Sequence, residues 1–295
     1  MKRFKMFLCA MTLSLFMAAS AQALPLMFGW DLDLTSLGGP KYENIRSVSV
    51  VGSSYLTQNL TGVGGGGAYY YMQEGDAFFE TSILYQLSFV PEGGGLPQNM
   101  QHLYLWGNNI TGTVKNVDNA GASPNPADWD FDYSFDLGQT NLGMYYYDGP
   151  ANVLDPFSFD PTAPGVTQLA QFQLVAPSAG TGPEGFLGGG DEFTGKTSMT
   201  GLFIDFEPGV WFTPGGNSFE SMVAMGYDYY ALLSLDNVIA PNNFNFVFGD
   251  DFFTSLIEHD GSYRLAEVPE PTTWLLFGTG LLGLAALGRR KMQKK

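Results

Sequence analysis

Cysteine, histidine and the usual motifs of enzyme active sites are scarce in this 295-residue sequence. The single cysteine, Cys9, lies in an N-terminal apolar run, so removal of that run would leave a chain without disulfides or thiol chemistry. Neither of the two histidines, His102 and His259, has a His, Cys or Asp at a metal-ligand spacing. A Gly-x-Ser-x-Gly elbow is absent, and no Lys-Ser/Thr follows the glycines at 64–67. These absences count against zinc, serine-hydrolase and nucleotide-binding enzymes.

Basic residues are rare outside the two ends of the chain. Eight of the 13 lysines and arginines lie in residues 2–5 and 289–295. Residues 24–268 contain 28 acidic residues and five basic ones, a net charge of −23. Because such a surface repels phosphates, we exclude nucleic acid as a partner. Strong acidity favours solubility and the use of divalent cations as bridges.

The N-terminus has the three zones of an export signal. Residues 2–5 carry positive charge, residues 6–19 are apolar and uncharged, and Ala21 and Ala23 supply the small residues that signal peptidase requires. The apolar run is too short for a typical membrane span. We therefore predict a signal peptide over residues 1–23, cleaved after Ala23.

The C-terminus combines a short motif, an apolar run and a basic end. Pro269, Glu270 and Pro271 precede 272–288, a stretch without charge, and Arg289 and Arg290 begin the basic end. A helix over 272–288 would rise about 25 Å, slightly less than the roughly 30 Å hydrocarbon core of a bilayer. We predict a single transmembrane-type helix whose positive end faces the cytoplasm.

This combination resembles the PEP-CTERM sorting signal. The resemblance covers residues 268–295, and the Leu-Pro-x-Thr-Gly sortase motif is absent. It implies that an exosortase recognises this tail and processes the protein near Pro269–Pro271, so the membrane helix would be an anchor at least transiently and need not persist in the final product. It also implies a Gram-negative host that exports polysaccharide and forms biofilm or flocs, and a location at the cell surface or in the extracellular matrix.

Residues 24–267 have the pattern of an all-β ectodomain. Apolar and polar residues alternate in segments such as 83–89, 170–174 and 244–248, and Gly, Pro, Asn and Asp are clustered between such segments. No segment outside the termini shows a helical period over ten residues. We predict an antiparallel β-sandwich of jelly-roll type, as one domain or two.

An acidic row is the most suggestive feature of the ectodomain. Asp128, Asp130, Asp132 and Asp136 fall on one face of a predicted strand, opposite an aromatic face. Successive carboxylates about 7 Å apart repel one another unless water or a cation intervenes. The row is therefore a candidate Ca²⁺ site, with Asp128, Asp130 and Asp132 as ligands. The competing interpretation is a solvated acidic face outside an aromatic core. No other cofactor is expected.

Two further features bear on carbohydrate. Asp205 and Glu207 resemble the end of the acidic strand of chitinase-like glycosidases, although the earlier acids of that pattern are missing. The tryptophans and the tyrosine-rich segments could supply rings on which sugars stack, while most of them are expected in the core. The tryptophans concerned are Trp30, Trp106, Trp129 and Trp211.

These observations leave three functions open. The first is a non-enzymatic surface or matrix protein that associates with exopolysaccharide. The second is a secreted hydrolase with two catalytic carboxylates, which would require a concave cleft. The third is an adhesin with a protein partner, which would show an exposed apolar patch.

Overall fold

The structure is a computed structural model that describes residues 24–118, 130–149, 157–182, 193–240 and 243–269. Nearly all of its secondary structure is β. A 3-10 helix spans Thr35–Leu37, and helix α1 spans Phe219–Val223 with Ser218 as its N-cap. The strands are β1 (Leu26–Met27), β2 (Trp30–Asp33), β3 (Lys41–Asn59), β4 (Gly62–Gly64), β5 (Tyr69–Tyr71), β6 (Ala77–Pro91), β7 (Gln98–Met100), β8 (Leu103–Asp118), β9 (Asp130–Phe135), β10 (Leu142–Tyr147), β11 (Val166–Thr181), β12 (Phe193–Phe206), β13 (Trp211–Phe212), β14 (Tyr227–Ile239), β15 (Phe244–Phe246) and β16 (Phe252–Pro269).

The main sheet closes on itself as an eight-stranded antiparallel barrel. Around the ring the order is β3, β6, β8, β9 with β10, β11, β12, β14 and β16, and each of these eight positions pairs with the next around the ring. The ring closes because β16 pairs with β3 from Phe252↔Asn59 to Tyr263↔Val48. The prediction of an all-β chain is confirmed, whereas the prediction of a jelly-roll sandwich is wrong.

A barrel differs from a sandwich in that its first and last strands pair with each other. The alternation of apolar and polar residues within a strand does not reveal that pairing. Alternation shows only that one face of a strand is buried, which is true in both architectures. The pairing of Tyr263 with Val48 joins residues more than 200 positions apart. A β-bulge also breaks the pattern at 83–89, because Tyr85 is the extra residue between Gly52↔Leu84 and Val51↔Gln86. Bulges of this kind bend and twist strands, which assists closure.

Two short strands together fill one position of the ring. β10 pairs with one half of β8 and of β11, and β9 pairs with the other half of both. The predicted strand at 170–174 is confirmed, with Ala170, Phe172 and Leu174 buried in the interior. The predicted strand at 244–248 is confirmed over Phe244–Phe246.

A ribbon of β2 and β13 lies across one end of the barrel. β2 pairs with the first half of β3, while the indole Nε1 of Trp211 in β13 donates to the carbonyl of Leu169 in β11, 2.8 Å away. β3 and β11 lie on opposite sides of the eight-membered ring. Trp30 and Trp211 stack at 5.7 Å with no exposure to solvent, so they are core residues.

Among the described residues, no helix has both the length and the apolar composition to cross a membrane. The predicted signal peptide at 1–23 and the predicted apolar helix at 272–288 lie outside the described residues.

Candidate functional site: an aromatic outer face

Aromatic side chains cover one region of the outside of the barrel, on β6, β8 and β10. Leu103 and Leu105 of β8 point into the core, so the alternate residues Tyr104 and Trp106 point outward. Tyr145 lies opposite Tyr104 in the neighbouring strand and contacts Trp106 edge to face at 6.0 Å. We call this region the outer aromatic face; its residues are Tyr55, Ile83, Tyr85, Tyr104, Trp106, Tyr145, Tyr147, Phe157, Phe159 and Val166.

The segment that leads into β11 packs on the centre of this face. Phe159 contacts Tyr104, Trp106 and Tyr145 with ring centroids 5.3 to 5.6 Å apart. Phe159, Tyr104 and Tyr145 are buried as a result, and burial raises the pKa of Tyr145. This buried centre fixes the positions of the rings around it.

The rings at the margin of the face remain accessible. Trp106, Tyr85 and Tyr147 are half-buried, and Phe157 is 64% exposed while contacting Tyr55 at 5.2 Å. Rings held rigidly with one side in solvent are suited to stack on the apolar faces of sugars, because they lose little conformational freedom on binding. Tyrosine and tryptophan also carry polar groups that can contact sugar hydroxyls.

The polar groups beside the face are acidic or neutral. Asp148 follows Tyr147, Asp160 follows Phe159, and both are exposed. The backbone N–H and the hydroxyl of Thr162 donate to Oδ1 of Asp160 at 2.8 and 2.7 Å, which lowers the pKa of this carboxyl group. The exposed amide of Gln168 is the cross-strand neighbour of Tyr145. Sugars at this face would therefore meet hydrogen-bonding groups and negative charge.

A second constellation lies inside the barrel. His259 on β16 contacts Ser54 on β3 (Nε2–Oγ, 2.8 Å) and Asn237 on β14 (Nδ1–Oδ1, 2.9 Å). Because an amide oxygen can only accept, Nδ1 of His259 carries the proton, and in the neutral ring Nε2 accepts from the hydroxyl of Ser54. We call the set Ser54, Glu80, Tyr133, Thr197, Asn237 and His259 the polar belt.

From Asn237 the hydrogen bonds of the polar belt continue to β12 and β9. The amide Nδ2 of Asn237 donates to Oγ1 of Thr197 at 2.7 Å and to the hydroxyl of Tyr133 at 3.3 Å. A carboxylate oxygen of Glu80 lies 3.6 Å from Nε2 of His259, too far for a hydrogen bond. Burial raises the pKa of Tyr133, against the effect of its hydrogen bond to Thr197.

The polar belt combines a histidine, a carboxylate and hydroxyls, which are groups that catalysts use. None of its residues lines the cavity described in the barrel interior, which measures about 20 Å³ and has a mostly apolar lining that also includes Ser82 and Tyr263. That volume holds about one water molecule. Sequence analysis missed the belt because its six members come from six different strands. We interpret its hydrogen-bonded members, which are all of the set except Glu80, as a network that fixes the register of their strands.

Of the predicted Ca²⁺ ligands, the structure describes Asp130 and Asp132, and neither belongs to a cluster of metal-binding side chains within the described residues. Asp130 and Asp132 lie on the outside of β9, with Phe131 and Phe135 buried behind them, so the predicted division into an acidic and an aromatic face is confirmed for these residues. Oδ2 of Asp132 accepts from Asn116 at 2.9 Å. No three His, Cys, Asp or Glu side chains come together as a metal site within the described ranges. Asp128 lies outside those ranges, and the Ca²⁺ site stays a prediction.

The other sequence candidates fall in different places. Asp205 is exposed at the end of β12, and its carboxylate accepts from the next backbone N–H at 3.0 Å. Of the tryptophans considered as sugar platforms, Trp30 and Trp211 are core and Trp106 lies on the outer aromatic face. Trp129 lies outside the described residues. The spacing of Tyr104 and Trp106 around Leu105 was the signal that could have identified the face.

The residues of the two terminal signals are almost entirely beyond what the structure describes. Pro269 is the last residue of β16, whereas Glu270, Pro271, Arg289 and Arg290, like Ala21 and Ala23, lie outside the described residues. The cleavage and sorting roles of these residues stay predictions.

Comparison with known proteins identifies the C-terminal signal. A family model described as the PEP-CTERM protein-sorting motif matches residues 267–291. No curated protein and no solved structure matches the chain. The motif directs exported proteins of Gram-negative bacteria to exosortase-dependent sorting.

Proposed function

We propose that this chain, a PEP-CTERM sorting domain-containing protein, acts after export as a non-enzymatic surface or matrix protein that binds exopolysaccharide through its outer aromatic face. The observation that carries the proposal is the set of half-buried rings, Tyr85, Trp106 and Tyr147, which pack against the buried cluster that contains Phe159. Exosortase is the expected transient partner, acting through the motif at 267–291. The sorting motif supplies the location, and the rings supply a means of retention in a polysaccharide matrix.

The shape of the face favours binding over hydrolysis. It lies on the convex outside of a closed barrel, whereas hydrolysis by two carboxylates needs a cleft that surrounds the scissile bond. The cavity described in the barrel interior, about 20 Å³, is far smaller than a sugar ring. We therefore propose no catalytic residues.

An adhesin is the second candidate, because the same face is an exposed apolar patch. Phe157 is 64% exposed and Phe79, on the same side of β6, is 39% exposed. Phenylalanine lacks a polar group for sugar hydroxyls, so these two rings would also suit a protein partner.

Deletion of the gene followed by complementation tests the proposal. We expect the deletion strain to retain less polysaccharide and to aggregate less, and the native gene to restore both. A gene encoding Trp106→Ala with Tyr147→Ala should be exported in normal amount without restoring either. Normal flocs and normal polysaccharide retention in the deletion strain would contradict the matrix role. Restored retention with lost cell-to-cell adhesion would favour the adhesin.

A further inference from the structure

Negative charge at the outer aromatic face restricts which polysaccharides it can bind. Asp148 and Asp160 are exposed next to ring residues of the face, and the hydrogen bonds from Thr162 hold the Asp160 carboxylate in place. Because those bonds stabilise the charged form, Asp160 remains ionised at neutral pH. A ligand that lies on the rings therefore lies beside two fixed negative charges.

Basic residues do not offset this charge. All five basic residues of the ectodomain are described, and none of them belongs to the face. Along β3, Arg46 is five residues from Val51, which lies beside the bulge residue Tyr85 of the face, and Lys115 is nine residues from Trp106 along β8. At about 3.3 Å per residue these separations are roughly 17 and 30 Å, or about two and nearly four Debye lengths of about 8 Å at physiological ionic strength. Uronic acids or sulfated sugars would find no positive partner there.

The rings themselves also favour a cation. The faces of tryptophan and tyrosine carry negative electrostatic potential and attract ammonium groups within about 6 Å. A protonated amino sugar stacked on Trp106 could direct its ammonium group to Asp160, which follows the Phe159 that contacts Trp106, and one stacked on Tyr147 could direct it to Asp148, the next residue. Stacking, cation–π attraction and ion pairing would then act on one residue of the polymer.

We infer that the outer aromatic face selects a cationic polysaccharide, one built from amino sugars with free amino groups, over neutral and anionic polymers. This inference rests on the proposed function, since it names the class of polysaccharide that the face binds.

Binding of three soluble oligosaccharides of equal length to the purified full chain tests the inference. The probes are a glucosamine hexamer, its fully N-acetylated counterpart and a hexamer of galacturonic acid, at pH 6 and low salt. We expect the glucosamine hexamer to bind about tenfold more tightly than the N-acetylated one, the preference to shrink at high salt, and the acidic hexamer not to bind.

Matched variants separate the charges from the rings. Asp148→Asn with Asp160→Asn should reduce the preference severalfold, to the part that the rings supply, while leaving the affinity for the N-acetylated hexamer unchanged. Asp236→Asn with Asp260→Asn removes the same charge from an exposed cross-strand pair on β14 and β16 and should preserve the preference. Trp106→Ala should weaken binding of both neutral and cationic probes.

Each remaining outcome is decisive. Equal affinity for the glucosamine and N-acetylated hexamers would overturn the inference and leave the proposed function in place. An equal loss of preference in the Asp148/Asp160 and Asp236/Asp260 variants would also overturn the inference, because the preference would then depend only on the net charge of the protein. Binding of none of the three hexamers would overturn the inference together with the polysaccharide-binding function on which it rests.

Discussion

His259 and Ser54, 205 residues apart in sequence, lie with Nε2 and Oγ 2.8 Å apart across the seam where the last strand of the barrel meets the first long one. The bond is buried, and His259 is also bonded to Asn237 on the other neighbouring strand. One side chain thus connects three strands at the point of closure.

Removal of that side chain should loosen the seam. His259→Ala leaves Ser54 and Asn237 without their buried partner and leaves Glu80 facing a void. We expect the free energy of unfolding to fall by about 3 kcal/mol, measured by urea denaturation. Glu258→Ala, an exposed neighbour on the same strand, should change it by no more than about 0.5 kcal/mol. Similar effects of the two substitutions would contradict a structural role for the polar belt.

Gly52 on β3 packs against the backbone of β6 beside the bulge at Tyr85. A Cβ atom there would lie 2.1 Å from the carbonyl oxygen of Ile83 and 2.6 Å from Cα of Leu84, which are backbone atoms that cannot move independently. Gly52→Ala should therefore destabilise the protein by about 2 kcal/mol. Ser49→Ala, on an exposed position of the same strand, is the control. A thermal midpoint equal to that of the control would show that the bulge absorbs the methyl group.

These two residues illustrate what the sequence could not reveal. Alternation at 170–174 predicted buried side chains correctly because the pattern of a strand depends on its immediate neighbours. The Gly52 contact depends on a bulge, and the His259 contact depends on closure between distant segments. The outer aromatic face was partly predictable, since Tyr104 and Trp106 share one side of a strand. Phe159, which packs on the centre of that face, was not predictable because it lies in a turn-rich segment without a periodic pattern.

Alkaline pH should destabilise the fold through its buried tyrosines. Burial raises the pKa of Tyr42 to about 12, whereas an unfolded tyrosine titrates near 10. Below pH 10 both states are protonated and the full stability is present. As the pH rises from about 10 to 12, only the unfolded state loses the proton, so the free energy of unfolding falls.

The check is urea denaturation at pH 9, 10 and 11 for the native protein and for Tyr42→Phe. The variant should lose stability less steeply over this interval, because it has one buried phenol fewer. Identical slopes for the two proteins would contradict the prediction.

The predicted Ca²⁺ site at Asp128, Asp130 and Asp132 can be tested by thermal melting with Ca²⁺ and with chelator. Binding to the folded state alone would raise the melting temperature, and a ligand concentration of 100 times Kd corresponds to about 2.7 kcal/mol. Asp130→Asn with Asp132→Asn should remove the increase, while Asp236→Asn with Asp260→Asn should not. A melting temperature of the native protein that is the same with Ca²⁺ and with chelator would contradict the predicted Ca²⁺ site.

Polysaccharide binding through the outer aromatic face is the central claim, and co-sedimentation with the insoluble matrix of the host tests it most directly. The native protein should sediment with the matrix, and Trp106→Ala with Tyr147→Ala should remain in the supernatant. Phe157→Ser, which changes a ring that is 64% exposed, should sediment less than the native protein while melting at the same temperature. Sedimentation of all three proteins to the same extent would contradict the account.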